Sequence, residues 1–424
     1  MFLSCLELST TNYPHMKTII TAAFFFVVFF SLSCNQTKKP GTPEFVRDVT
    51  NKINDESLVN ADKTPSDWLS NGGNYSEDRY SALTQISKEN IQRLGLVWSL
   101  NLGTTRGIEA TPIIVNGIMY ISGPWSIVYS IDARTGKQLW VYDPKVSGWY
   151  GNGPDWKYNK PYGYGSGTGW NTAIDYDPSK PLHDDSSAPK PVPQERLIAW
   201  DPVEQREKWR LPLIGVWNGG VVTTAAGLVF EGTADGKFMA VDAITGKPLW
   251  QTNIGSGIIA PPVSYGVDGK QYITIAAGWG GAMGLSSKFT DQINPGTIYT
   301  FALDSNKAMP AFTKAEEKHL INMPFTSTKE ELQHGALLYT QYCMACHSGV
   351  ADNDYGVIPD LGYSSEATHK ILKNIVLKGL LESKGMPNFS NRLSEKNVTE
   401  IQSYILATAK QMAGEKKKKL VVKK

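Results

Sequence analysis

Three patterns of apolar and polar positions succeed one another along the chain. Ile19 to Phe30 is a largely apolar stretch behind Lys17, followed by small residues before Cys34. Through the middle, short stretches alternate apolar and polar residues and break at Asp, Thr and Gly, which predicts strands joined by tight turns. Beyond Thr328 the apolar spacing lengthens to three and four. Leu332, Ala336, Tyr339 and Cys343 then share one helical face, and Thr328 with Glu331 three places on predicts a capping box. A second helix is predicted in EATHKILKNIVLKGL. A third is predicted in SEKNVTEIQSYILATAKQ, with Ser394 as N-cap and Val398, Ile401 and Ile405 as its apolar face.

The alternating region contains a repeat. SIDARTGKQLW (Ser130 to Trp140) and AVDAITGKPLW (Ala240 to Trp250) share one template. AWDPVEQREKW (Ala199 to Trp209) fits more loosely, with Glu204 and Gln205 where the others have Thr-Gly. A strand enters, Asp-x-x-Thr-Gly turns, and Trp closes the next strand. A Trp at a fixed place can pack over the turn glycine of the neighbouring unit, as in an all-β propeller built from tryptophan motifs. Unrelated hairpins that happen to end in Trp are the plainer alternative. Trp98 and Trp140 stand 42 residues apart, and Trp209 and Trp250 stand 41 apart, each the length of one four-stranded blade. Trp140 and Trp209 are 69 apart, too long for one blade and too short for two. About four blades are recognisable.

QYCMACHSG (Gln341 to Gly349) carries the clearest chemistry. C-x-x-C-H is a c-type haem attachment spacing, in which Cys343 and Cys346 form thioethers and His347 supplies an axial iron ligand. A zinc knuckle and a redox dithiol are the alternatives. Zinc sites ordinarily use four ligands, and the other two cysteines, Cys5 and Cys34, lie near the start. Three helices around a covalent haem resemble a class I cytochrome c, an all-α domain. That family takes its second axial ligand from a Met before the last helix, and KGMPNFSN places Met386 there. Plain packing is the other reading of Met386. Met344 falls on the wrong face and Met412 too late. The resemblance implies His347/Met386 ligation and an electron-transfer haem iron of raised potential.

Composition adds less. The chain has 424 residues, enough for two or three domains, and a net charge of +2 that gives no reason to expect nucleic acid. Twelve Trp, nineteen Tyr and 39 Gly favour a β-rich scaffold. We read residues 1–33 as a signal peptide, with Met16 its more natural start, and expect an exported, periplasmic protein. The layout resembles a bacterial lipoprotein signal, with Cys34 lipidated and anchored to the membrane; secretion or an uncleaved anchor is the alternative. Residues 34–66 read as a polar tether and 413–424 as a basic, solvated tail.

The stretch from DWLSNGGNYSEDRYSALTQ to GKQLWVYDPKV resembles the opening of the PQQ-dependent quinohaemoprotein alcohol dehydrogenases. LIAWDPVEQREKW through AAGWGGAMG is similar to their closing blades. The resemblance implies a partial PQQ-type propeller over residues 67–310 and the cytochrome c domain over 326–412. The family propeller has eight blades, and the middle ones are missing here, with the join between Val146 and Trp156. The missing portion carries, in the family, an adjacent Cys-Cys disulfide, a Glu and an Asn that bind calcium, and an Asp base. No position in this chain matches them. Glu109 in RGIEATP matches a Glu that contacts PQQ, and Trp217 and Asn218 in GVWNGG fall in a loop near the quinone. The resemblance thus implies haem c, PQQ and calcium, a small alcohol as substrate and a respiratory-chain electron acceptor. The alternative is a haem c electron-transfer protein with a catalytically dead remnant propeller.

Overall fold

The computed structural model describes residues 39–40, 42–145, 195–215, 219–280, 290, 292–293, 295–347, 349–351 and 358–422. The leader with Cys34, the join after Val146, and Trp217 with Asn218 lie outside the described residues.

The alternating region forms strands where it was expected to. In chain order these are β1 (Tyr80–Ser81), β2 (Leu94–Asn101), β3 (Ile113–Val115), β4 (Ile118–Ser122), β5 (Val128–Asp132) and β6 (Gln138–Tyr142). After them come β7 (Glu195–Asp201), β8 (Arg206–Leu213), β9 (Val221–Thr224), β10 (Leu228–Gly232), β11 (Lys237–Asp242) and β12 (Pro248–Asn253). The last three are β13 (Val263–Val267), β14 (Lys270–Ala277) and β15 (Thr297–Leu303). They assemble into sheets ordered β3-β4-β5-β6, β13-β14-β15-β2, β1-β9-β10-β11-β12 and β7-β8. Among the described residues, three blades therefore have four strands in blade order and a fourth has two.

The template has the role its spacing suggested. In each turn the Asp carboxylate caps backbone N–H groups: Asp132 accepts from Arg134, Asp242 from Ile244 and Thr245, and Asp201 from Val203 and Glu204. Gly136 (φ 73°) and Gly246 (φ 71°) sit in the left-handed region, and the degenerate copy puts Gln205 there at φ 50°. A side chain in that conformation costs about 1–2 kcal/mol. The tryptophans then link blade to blade. A β-carbon on Gly136 would stand 2.6 Å from the ring of Trp98, and one on Gly246 2.5 Å from the ring of Trp209. The indole of Trp98 donates to the Ala133 carbonyl at 3.1 Å, that of Trp209 to Ala243 at 3.1 Å, and that of Trp250 to Leu94 at 3.2 Å.

One blade is sewn from both ends of the propeller sequence. β2 enters early yet pairs antiparallel with β15 from Asn101 opposite Thr297 to Leu94 opposite Leu303. Where other blades have a turn, this seam has the Asp304 N–H on the Arg93 carbonyl at 2.9 Å and an Arg93–Asp304 ion pair. Trp140 is 40% exposed, and a ring near it among the described residues is Tyr120, 5.9 Å away. In the two-stranded sheet, Trp200 is exposed as well.

The stretch expected to be a tether is structured from Pro43 on. Helices α1 (Pro43–Thr50) and α2 (Asp55–Val59) lie within it, and Val46 and Val49 pack with Ile118. A polar composition hid these contacts because only one face of a short helix is apolar.

The cytochrome domain has its own core. α3 (Lys329–Tyr342) starts at the expected Thr328–Glu331 capping box, and α4 (Met344–His347) follows it directly. The second expected helix is divided at Ile371 into α5 (Glu366–Lys370) and α6 (Leu372–Lys378). The third is α7 (Glu395–Val422), whose backbone continues through the basic run expected to be a tail. Val398, Ile401 and Ile405 are buried, and Ser394 and Asn397 exchange capping hydrogen bonds. α3 and α7 cross at Gly335, where a β-carbon would lie 2.1 Å from the Glu400 carbonyl oxygen.

Candidate cofactor sites

Cys343 ends α3 and is buried, whereas Cys346 one turn on is exposed; both are free thiols. Burial, with a smaller contribution from Cys346, pushes the Cys343 thiol up to about 12, and burial also raises Cys346. Both are held protonated at neutral pH, so the site favours neutral sulfur. A thioether meets that demand permanently, since it no longer titrates.

His347 is buried, and its Nδ1 lies 2.6 Å from the Pro359 carbonyl oxygen. A carbonyl only accepts, so Nδ1 carries the hydrogen and Nε2 keeps its lone pair. Burial lowers the imidazole pKa, with the Pro359 bond and the Asp360 charge opposing, and the ring stays neutral. A neutral ring oriented by a bond from its other nitrogen is the form in which histidine binds a metal. Asp360 in turn accepts from the N–H groups of Ala351 and Gly362, which fixes the Pro359 segment. The donor set fits a covalent haem: two neutral thiols, then a histidine with a free Nε2.

Met386 packs, half-buried, against the cluster that contains Cys343, Leu338, Leu361 and Phe389. Met344 and Met412 touch the same cluster. The Met386 loop has its own frame: the Gly385 N–H donates to Glu382 at 2.9 Å and the Met386 N–H to Leu381 at 3.1 Å. A second histidine, His369, is buried in this domain; its Nε2 faces the Leu361 carbonyl at 3.3 Å and its Nδ1 has no partner.

On the propeller, Glu109 is exposed and its Oε1 lies 3.5 Å from where a β-carbon on Gly280 would stand. The two loops meet through glycines: a β-carbon on Gly107 would be 2.5 Å from the Gly280 Cα, and the Ile108 N–H donates to the Gly278 carbonyl at 3.1 Å. Glu109 is thus the one member of the expected quinone site among the described residues. Among the described residues no group of three or more His, Cys, Asp or Glu is placed to hold a metal ion.

Sequence reasoning passed over three side chains. Glu231 on β10 is buried, and burial followed by the Glu195 charge pushes it up to about 8. Arg106 and Trp125, in two propeller loops, touch the cytochrome loop just ahead of Met386. Nothing in their local spacing signals contact with a segment more than 250 residues away.

Comparison with known proteins agrees with both domains. Residues 68–165 and 191–273 match the family described as "Glucose/ethanol/alcohol dehydrogenase, beta-propeller domain". Residues 330–405 match "Cytochrome C oxidase, cbb3-type, subunit III". The 1-butanol dehydrogenase (cytochrome c) of Thauera butanivorans is 41% identical over 257 residues, 60% of this chain and 36% of that protein. The quinohemoprotein alcohol dehydrogenase of Comamonas testosteroni is 39% identical over 257 residues, 60% of this chain and 35% of its own length. The crystal structure of the Comamonas testosteroni enzyme superposes with a TM-score of 0.71 at 22% identity, covering 88% of this chain and 99% of that one, a likeness of fold. These matches define a PQQ-type β-propeller joined to a C-terminal cytochrome c domain. The chain is homologous to the quinohaemoprotein alcohol dehydrogenases, and this kinship supports haem c and PQQ as the cofactors.

The chain spans only about a third of the length of these two curated relatives. Its alignment with the ADH-IIG enzyme of Pseudomonas putida runs to 680 positions, covering 87% of this chain and 94% of the relative at 22% identity. That exceeds the 424 residues available, so the shortfall lies inside the aligned region.

Proposed function

We propose that this is an exported quinohaemoprotein of the alcohol dehydrogenase type, in which a haem c takes electrons from the propeller side and passes them to a respiratory-chain acceptor. Cys343 and Cys346 would hold the haem, with His347 and Met386 as its axial ligands. The carrying observation is the 2.6 Å contact from His347 Nδ1 to Pro359, which leaves Nε2 free for iron beside two neutral thiols. Bound there, haem c supplies one-electron transfer without an open site for oxygen. Glu109, Trp217 and Asn218 are the propeller residues proposed to contact PQQ. A small alcohol is the proposed substrate, as the names of the relatives suggest.

A second reading has a specific observation in its favour. Trp140 is 40% exposed, whereas Trp98 in the equivalent place is buried against the turn of its neighbour. On this reading the propeller is a scaffold, and the haem is reduced by an outside donor. Loss of a positioned base alone costs roughly a hundred- to ten-thousand-fold in rate.

Reduced-haem absorbance after adding a primary alcohol, with and without PQQ and calcium, separates the two. Rapid reduction that needs all three additions supports the dehydrogenase. Reduction by a chemical reductant only supports the scaffold.

A further inference from the structure

Arg106 lies in the same loop as Glu109, and its Nη2 donates to the Lys384 carbonyl at 2.5 Å. The guanidinium also sits 4.9 Å from the ring centroid of Trp125. That ring in turn lies on Gly385: a β-carbon there would be 2.6 and 2.9 Å from two of its atoms. Lys384 and Gly385 are the two residues before Met386. Two propeller side chains therefore grip the backbone that leads into the methionine.

Both sides of this contact are built for it. The arginine loop is anchored by Gly107 against Gly280 and by the Ile108 N–H on Gly278. Trp125 and Ser126 both have left-handed backbones, at φ 63° and 57°, a conformation that residues with side chains seldom adopt. The loop is closed across them by the Gly123 N–H on the Ile127 carbonyl at 2.8 Å. Opposite, Gly385 has φ 88°, and its lack of a side chain admits the indole. Strain kept at consecutive residues calls for a compensating contact, and the contact present is with the other domain. Arg106 reads a backbone carbonyl, so it fixes where the loop is and not which side chain stands at 384.

We propose that Arg106 and Trp125 form a clamp on Lys384–Gly385 that keeps Met386 in ligating position, making axial ligation in the cytochrome depend on docking to the propeller. The proposal rests on Met386 being the axial ligand. Its physical basis is preorganisation: a thioether is a neutral, readily displaced ligand, and a loop already held loses less conformational freedom when its sulfur binds. Arg106 and Trp125 are positioning residues in this scheme, since they act through Met386.

The test uses the full-length, haem-loaded protein. Ferrous protein is mixed with carbon monoxide, which binds only when the sulfur has left the iron, and the rate is read from the Soret band. Trp125→Ala and Arg106→Ala should each raise that rate at least about tenfold, as a larger fraction of the protein becomes competent to bind. Both should weaken the sulfur-to-iron charge-transfer band of the ferric form. Trp125→Phe, which keeps an aromatic face on Gly385, should stay near the parent rate. Met386→Ala should bind carbon monoxide fastest, with no further gain from adding Trp125→Ala. If Met386→Ala is no faster than the parent, the axial assignment fails and takes the clamp with it. If Met386→Ala is fast while Trp125→Ala and Arg106→Ala keep the parent rate and band, the clamp alone is overturned. Should Trp125→Ala misfold, Arg106→Ala, which removes one half-buried side chain, decides the matter.

Discussion

The ring of Trp98 occupies the space where a side chain on Gly136 would begin, and its indole N–H reaches the Ala133 carbonyl three residues earlier, at 3.1 Å. That carbonyl also accepts the Tyr265 hydroxyl at 2.8 Å, so one turn of one blade receives two donors from its neighbour. Blade contacts of this kind hold the arc together from Trp209 to Trp98. Trp98→Ala should therefore destabilise the propeller by about 3–5 kcal/mol, the usual cost of deleting a buried large aromatic. Urea unfolding followed by tryptophan fluorescence would measure it. A loss below about 1 kcal/mol would mean that the blades cohere by other contacts.

Glu231 gives a pH dependence with a definite sign. Burial first, and the Glu195 charge second, raise it from 4.5 to about 8, so the folded state keeps a proton that the unfolded chain releases. Its favourable contribution is complete below about pH 4.5 and is lost as pH rises towards about 8. Glu231→Gln removes the titration and keeps the shape. The variant should match the stability of the parent near about pH 5 and exceed it near about pH 8 by a few kcal/mol, read from urea unfolding. An equal difference at both pH values would show that Glu231 is not the titrating group.

Export is tested apart from fold. If Cys34 is lipidated, labelled fatty acid should appear on the protein, and Cys34→Ala should release it from membranes. Unlabelled protein in the soluble fraction would leave secretion. Among the described residues no helix is long and apolar enough to cross a membrane.

The sequence carried the fold far because its signals were local. Asp, Gly and Trp at fixed offsets sufficed for the blades, and the Thr328–Glu331 pair marked the start of α3 to the residue. The seam between β2 and β15 was not legible, since nothing near Leu94 or Leu303 says that strands so far apart in the chain will pair. The same holds for the site. Cys343, Cys346 and His347 are adjacent in sequence and were readable, whereas Pro359 acts through a backbone carbonyl that every residue possesses. Arg106 and Trp125 matter through a contact between domains, which no window of sequence contains. The helices at Pro43–Thr50 and Asp55–Val59 were obscured by polar composition, although Thr42 and Asn54 were there as N-caps.

Reaction of the two thiols with haem has a direct control. Cys343→Ser with Cys346→Ser should abolish pigment that survives acid–acetone extraction, because no thioether can form. Covalent haem in that double variant would place attachment elsewhere.

A covalent haem c held between His347 and Met386 is tested by the reduction potential of the parent beside that of Met386→Ala. A sulfur ligand favours ferrous iron, so the variant should keep its covalent haem while its potential falls. An unchanged potential with haem still attached would contradict the account and assign the second axial position to another residue.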